Sequence, residues 1–177
     1  ATIVVDGDEA RIYVNPSRAL LDAFEQQMER QKALSAELMK NRDLPAQTVD
    51  GVRLPLYANI GLDSDIDLAR NSGAEGVGLY RTEYQFLLRD VFPVEEEQYQ
   101  SYRQLLEGFA PRPVTIRTLD VGGDKILSYF PLEEDNPFLG VRGIRFSLAH
   151  PEIFMIQLRA LLRANADLEN LQVLFPM

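Results

Sequence analysis

Two arginines share a local context. Arg81 follows Gly78-Leu79-Tyr80 and leads into Thr82-Glu83, and Arg117 follows Val114-Thr115-Ile116 and leads into Thr118-Leu119-Asp120. Each closes a short β-rich run, and α/β proteins build their sites beyond the carboxyl ends of strands. Two guanidinium groups at such a face can grip an anion through bidentate, charge-assisted hydrogen bonds. Either arginine alone reads as a surface ion pair. The repeated Arg-Thr context is what points to anion binding. Arg142 and Arg145 stand in Asn136-Pro137-Phe138-Leu139-Gly140-Val141-Arg142-Gly143-Ile144-Arg145, where glycines beside Arg142 imply a tightly shaped loop. Asp120-Val121-Gly122-Gly123-Asp124-Lys125 reads either as a phosphate cradle of backbone N–H groups and a lysine or as a turn after a strand. It lacks the spacing of a P-loop.

Other polar residues point away from catalysis. His150 is the only histidine; it precedes Pro151 at a helix start and reads as a cap or surface group. Glu95-Glu96-Glu97 and Glu133-Glu134-Asp135 read as solvated acidic faces. No pair of carboxylates is spaced for metal binding or glycoside chemistry.

The elements that must position these groups follow from periodicity. Residues 2–5 and 11–14 read as two short strands around an Asp6-Gly7-Asp8 turn. Residues 17–42 read as one helix with Ser17 as N-cap, apolar at its ends and polar in the middle, as suits a connector. From Gly51 onward strands and helices alternate. Strands are expected over 54–60, 76–80, 114–119 and 171–175, and helices over 63–71, 83–88, 94–109 and 151–165. The last helix presents Phe154, Leu158, Leu161 and Leu162 as its core face; residues 139–148 read as extended or irregular. Repeated β-then-α units imply parallel strands, and four units in this length suit half of an eight-stranded barrel. An open doubly wound sheet is the competing architecture, but it expects a glycine-rich turn after its first strand, and Gly61-Leu62-Asp63-Ser64 has one glycine.

Composition bounds the rest. The chain has 177 residues, 46% of them hydrophobic, which is enough to bury a core. Its 18 Lys and Arg against 27 Asp and Glu give a net charge of -9, with a pI near 4.7. That balance argues against generic nucleic-acid or membrane-surface binding. There is no cysteine, so thiolate metal sites and thiol nucleophiles are excluded. The absence of a signal-peptide layout and of a long apolar run leads us to expect a soluble, cytoplasmic protein.

Three blocks together resemble the signatures of the phosphoenolpyruvate-utilising enzymes. They are Gly73-Ala74-Glu75-Gly76-Val77-Gly78-Leu79-Tyr80-Arg81-Thr82-Glu83, Arg117-Thr118-Leu119-Asp120-Val121-Gly122-Gly123-Asp124-Lys125 and Asn136-Pro137-Phe138-Leu139-Gly140-Val141-Arg142-Gly143. The second is similar to the Enzyme I branch, the phosphoenolpyruvate–protein phosphotransferases. Gly122-Gly123-Asp124-Lys125 suits the sugar-system enzyme. Pro113-Val114-Thr115-Ile116-Arg117-Thr118-Leu119-Asp120, Gly143 and residues 151–166 favour the nitrogen-related enzyme. Val141 departs from the tryptophan usual in both.

The resemblance implies a fragment. Residues 1–15 would be the tail of a phosphohistidine (swivelling) domain, 16–46 a linker helix, and 51–177 the first half of a phosphoenolpyruvate-binding TIM (β/α)8 barrel. It implies transfer of the phosphoryl group from phosphoenolpyruvate to an enzyme histidine and on to a small HPr-like carrier protein. Arg81, Arg117 and Arg142 would bind phosphoenolpyruvate. The accepting histidine, the Mg²⁺ ligands and the family's cysteine acid would lie outside this chain, leaving it no catalytic or metal-ligating residue and no activity alone. The full protein would be a homodimer, and open sheet edges would let the fragment self-associate. A non-catalytic half-barrel interaction module is the alternative.

Overall fold

The computed structural model describes residues 1–122, 127–130, 136 and 139–177. The chain divides into two compact units, Ala1–Leu44 and Pro45–Met177.

In the first unit, β1 (Ile3–Asp6) and β2 (Arg11–Val14) pair antiparallel, with Ile3 opposite Val14 and Val5 opposite Ile12. Asp6 closes the turn by accepting from the backbone N–H groups of Asp8 and Glu9, each at 3.1 Å. Helix α1 (Arg18–Met39) starts where the sequence predicts. Ser17 is extended and its hydroxyl accepts from the Leu20 N–H at 3.3 Å, satisfying one of the unpaired donors of the first turn. Tyr13 packs on Phe24 with ring centroids 5.7 Å apart. No residue of α1 is fully buried, and Leu34 and Leu38 are exposed.

The second unit is a mixed α/β structure. Its elements are β3 (Ala58–Ile60), α2 (Asp65–Asn71), β4 (Val77–Arg81), α3 (Glu83–Leu87), α4 (Glu95–Phe109), β5 (Val114–Arg117), α5 (Ile144–Ala149), α6 (Pro151–Ala164) and β6 (Leu171–Leu174). The four strands pair in parallel, in sequence order β3-β4-β5-β6. Their branched and aromatic side chains Ile60, Val77, Tyr80, Val114 and Ile116 pack against Ile66 of α2, Tyr102, Leu105, Leu106 and Phe109 of α4, and Leu161 of α6. A second apolar cluster forms around Phe86, Leu119, Val121, Leu127 and Phe146, residues that follow the strand ends.

Three expectations are corrected. The first strand is Ala58–Ile60, shorter than 54–60. Pro55 has no N–H to give a ladder, the Leu54 N–H bonds back to Ala46 O at 2.9 Å, and the Leu56 N–H bonds the Glu75 carboxylate at 3.1 Å. The stretch 139–148, expected to be extended or irregular, instead leads into α5, which begins after Gly143 at φ +56° and carries the buried Phe146. The core face of α6 is also rotated. Leu161 is buried with Gln157, Ala160 and Ala164, whereas Leu162 is exposed. Small alanines bring α6 close to α4, and the two helices are then linked by Arg159 and Arg163 to Glu95 and Glu96. The acidic run is exposed at Glu96 and Glu97, as a solvated face should be, and Glu97 also pairs with Arg89 and accepts from the Val94 N–H at 3.0 Å.

Candidate functional site

Register places the two repeated arginines side by side. Tyr80 is opposite Ile116, and Arg81 is opposite Arg117, at the ends of β4 and β5. Tyr80 and Ile116 are fully buried in the core shared with the helices. Side chains alternate along a strand, so Arg81 and Arg117 belong to the sheet's other face.

Arg117 is held between two carboxylates. One of its Nη groups donates to Glu83 Oε1, and the other lies 3.3 Å from Asp120 Oδ2. Its Nε is buried with no hydrogen-bond partner among the described residues. Arg142 grips the same Asp120 with a fork, Nε to Oδ1 at 3.0 Å and Nη2 to Oδ2 at 3.2 Å. The cluster is shielded: side-chain exposure is 1% for Glu83, 4% for Asp120, 16% for Arg117 and 21% for Arg142. Arg81 differs from both, because it is half-buried and its side chain makes no hydrogen bond or ion pair among the described residues. Glu83 and Asp120 therefore orient Arg117 and Arg142, while Arg81 keeps its donors available.

Glycine geometry brings Arg142 into the cluster. Gly122 has φ +111°, and a Cβ there would sit 3.0 Å from Val141 O and 3.1 Å from Arg142 Cβ. Only a residue without a side chain lets the 141–142 segment approach so closely. The Gly143 N–H then bonds Val121 O at 3.3 Å, and the Ile144 N–H bonds Pro176 O at 2.9 Å.

Other candidates fall elsewhere. Arg145 donates to the carbonyls of Leu139 and Gly140 at 2.6 and 3.2 Å, which shapes the loop and leaves it out of the cluster. Gly123, Asp124 and Lys125 of the suggested cradle lie outside the described residues, as do Pro137 and Phe138. His150 packs between Phe130 and Phe146, with centroids 5.1 and 4.7 Å away, and makes no side-chain cap bond to α6. Among the described residues no group of three or more His, Cys, Asp or Glu side chains could hold a metal ion. No helix among them is long and apolar enough to cross a membrane.

The residues missed from sequence are Glu83, Asp120 and Gln157. The two carboxylates stand two and three residues after the arginines already singled out, which was a usable signal. Gln157 lies on the apolar stripe of α6 and is buried, where it holds the Leu119 N–H at 2.9 Å. A separate polar knot sits on the helix side of the sheet. Tyr80 OH donates to Asp63 Oδ1 at 2.6 Å, and Ser101 donates to the same carboxylate at 2.8 Å. Burial, reinforced by the Asp63 carboxylate, pushes the Tyr80 hydroxyl well above its ordinary value and keeps it a neutral donor. The knot lines an open cleft of about 710 Å³ between α3 and α4.

Comparison with known proteins places the chain in a family. The family described as PEP-utilising enzyme, PEP-binding domain, matches residues 35–177. A phosphoenolpyruvate-protein phosphotransferase of Staphylococcus aureus is 49% identical over 176 residues, covering 99% of this chain and 31% of that protein. The phosphoenolpyruvate-dependent phosphotransferase system protein of Escherichia coli strain K12 is 46% identical over 176 residues, covering 99% of this chain and 24% of that protein. A multiphosphoryl transfer protein of Xanthomonas campestris pv. campestris is 44% identical over 177 residues, covering 99% of this chain and 21% of that protein. The chain thus spans less than a third of the length of these relatives. A match that takes in all three arginines and most of the sequence means that this chain belongs to the phosphoenolpyruvate-utilising enzymes, through their phosphoenolpyruvate-binding domain.

Proposed function

We propose that this chain is the substrate-gripping part of a phosphoenolpyruvate–protein phosphotransferase of the nitrogen-related Enzyme I branch. Residues 51–177 are read as the first half of a TIM barrel, residues 16–46 as a linker helix and residues 1–15 as the tail of a phosphohistidine domain. The parallel order β3-β4-β5-β6 favours a barrel over a doubly wound sheet, whose strand order reverses. The observation that carries the functional reading is the juxtaposition of Arg81 and Arg117 at adjoining strand ends, with Arg142 joined to them through Asp120.

Phosphoenolpyruvate is small and carries a phosphate and a carboxylate. Arg81, with unengaged donors, takes one anionic group; Arg117 and Arg142, held in fixed orientations, complete the grip. As the phosphoryl group leaves, charge spreads over its outer oxygens, and prealigned guanidinium groups stabilise that change without reorganising. The described carboxylates do not suit Mg²⁺, because Glu83 and Asp120 face arginines. We assign the Mg²⁺ ligands, like the accepting histidine, to residues outside those described. The acceptor in turn is an HPr-like carrier protein, and the full protein works in the cytoplasm as a homodimer.

The test uses the full-length protein with labelled phosphoenolpyruvate and Mg²⁺, offering sugar-type and nitrogen-type carriers in parallel. Label passes preferentially to the nitrogen-type carrier and is lost in Arg117→Ala. Preference for the sugar-type carrier reassigns the branch. Absence of transfer to either refutes the phosphotransferase reading and leaves the half-barrel as an interaction module.

A further inference from the structure

Beyond the register pair Arg81–Arg117 the two strands part. β4 turns into α3, and β5 runs on toward Asp120. Free strand ends at a splay leave backbone groups unpaired, and buried unpaired groups are costly. Here they are joined by two side chains. Thr82 occupies the N-cap position of α3, yet its hydroxyl caps nothing. It donates instead to the carbonyl of Arg117 across the gap, at 2.9 Å. Gln157, reaching in from α6, donates through Nε2 to Thr82 Oγ1 at 3.3 Å and to Tyr102 OH at 3.1 Å, and its Oε1 accepts from the Leu119 N–H at 2.9 Å. Thr82 and Gln157 are 0% and 1% exposed, so no water competes.

We propose that Thr82 and Gln157 form a buried clamp that sets the separation of Arg81 and Arg117, which makes both positioning residues for the anion site. The inference rests on the phosphoenolpyruvate-binding reading. Thr82 is bonded covalently to Arg81 and by hydrogen bond to Arg117, so the clamp acts on both guanidinium-bearing residues at once. A helix that forgoes its own cap to hold a neighbouring strand is spending that hydroxyl on geometry. Gln157 keeps the hydroxyl aimed by donating to its oxygen, and it holds the N–H of Leu119 on the stretch that leads from Arg117 to Asp120.

The test compares Thr82→Val, Thr82→Ser and Arg117→Ala in the full-length protein, measuring KM for phosphoenolpyruvate, kcat and melting temperature. Valine keeps the shape of threonine and removes the hydroxyl; serine restores it. A misplaced grip predicts that Thr82→Val loses about 10- to 100-fold in kcat/KM, mostly in KM, and that Thr82→Ser recovers it. Gln157→Met added to Thr82→Val costs little more, since both act through one hydrogen-bonded unit. The inference is overturned if Thr82→Val lowers the melting temperature while kcat/KM holds, or if serine fails to rescue. If Arg117→Ala itself transfers label normally, the phosphoenolpyruvate reading falls and the clamp with it. If Arg117→Ala is inactive and Thr82→Val is normal, only the clamp falls.

Discussion

The same two residue types do different work on the two sides of the sheet. On the helix side, Arg159 and Arg163 pair with Glu95 and Glu96 at 2.7 to 2.8 Å, and Arg163 lies 4.4 Å over the Tyr99 ring. At the strand ends, Arg117 and Arg142 pair with Glu83 and Asp120. Both sets are arginine–carboxylate pairs, but the surroundings are not alike. Arg159 and Arg163 keep 53% and 45% of their side-chain surface, against 16% for Arg117. Water screens the outer pairs, so breaking one costs little. The inner carboxylates have no such alternative, and removing a cation there strands buried charge. Arg81 belongs to the inner region by position and to neither by bonding, which makes it the residue at which the proposed anion grip can be tested apart from stability.

That contrast can be tested in descending order of effect. Arg117→Ala should cost about 3–5 kcal/mol in chemical denaturation, since it leaves two buried carboxylates facing one fewer cation. It should also abolish phosphoenolpyruvate-dependent transfer. A loss no larger than that of an outer arginine would erase the distinction. Arg81→Ala should leave stability within about 0.5 kcal/mol, because it breaks no pairing. Its transfer rate should nevertheless fall about 10²- to 10³-fold, the scale for removing one donor to the developing charge. Gly122→Ala should cost about 1–3 kcal/mol through its backbone conformation and its close approach to Arg142. Titration calorimetry with phosphoenolpyruvate should show weakened binding in that variant.

The smallest effects belong to the outer belt. Arg163→Gln should lower the urea midpoint slightly at low salt and not at about 1 M salt, where screening acts within a few ångströms. Hydrogen bonds from Arg159 and Arg163 hold the Glu95 carboxyl below its ordinary value; Arg163 does the same for Glu96, and Arg89 for Glu97. A depressed folded value means stabilisation that is complete above the unfolded carboxyl range, near pH 4.3, and is lost as pH falls through the folded value. Urea midpoints taken from pH 6 down to pH 3 should therefore drop, and drop less steeply in Arg163→Gln.

The parallel strands, the connecting helices and the placement of Arg81 and Arg117 were legible because each rests on local pattern. Strand-end placement of Arg81 and Arg117 follows from apolar runs that stop at them. The Arg117–Asp120 pair lies three residues apart and was open to a sequence reading, but the pairs Glu83–Arg117 and Asp120–Arg142 join separate elements whose approach depends on packing. Arg145 shares its stretch with Arg142 in the sequence, yet it lies in the first turn of α5 and donates to the loop carbonyls. That helix was missed because Gly143 at φ +56° starts it without an ordinary cap. Gln157 stayed hidden for another reason: a glutamine on an apolar stripe looks like surface until the backbone N–H it satisfies is located.

Arg81 stands beside Arg117 as its register partner, and no carboxylate among the described residues pairs with its side chain. Buffer chemistry inherits that open charge. Phosphate and sulfate are compact anions that would pair with it, so they should raise the melting temperature by simple mass action and compete with substrate. A zwitterionic buffer offers no such pairing. Two melting curves, one in each medium, would report occupancy of the strand ends without a phosphotransfer assay, and Arg81→Ala should bring the curves together.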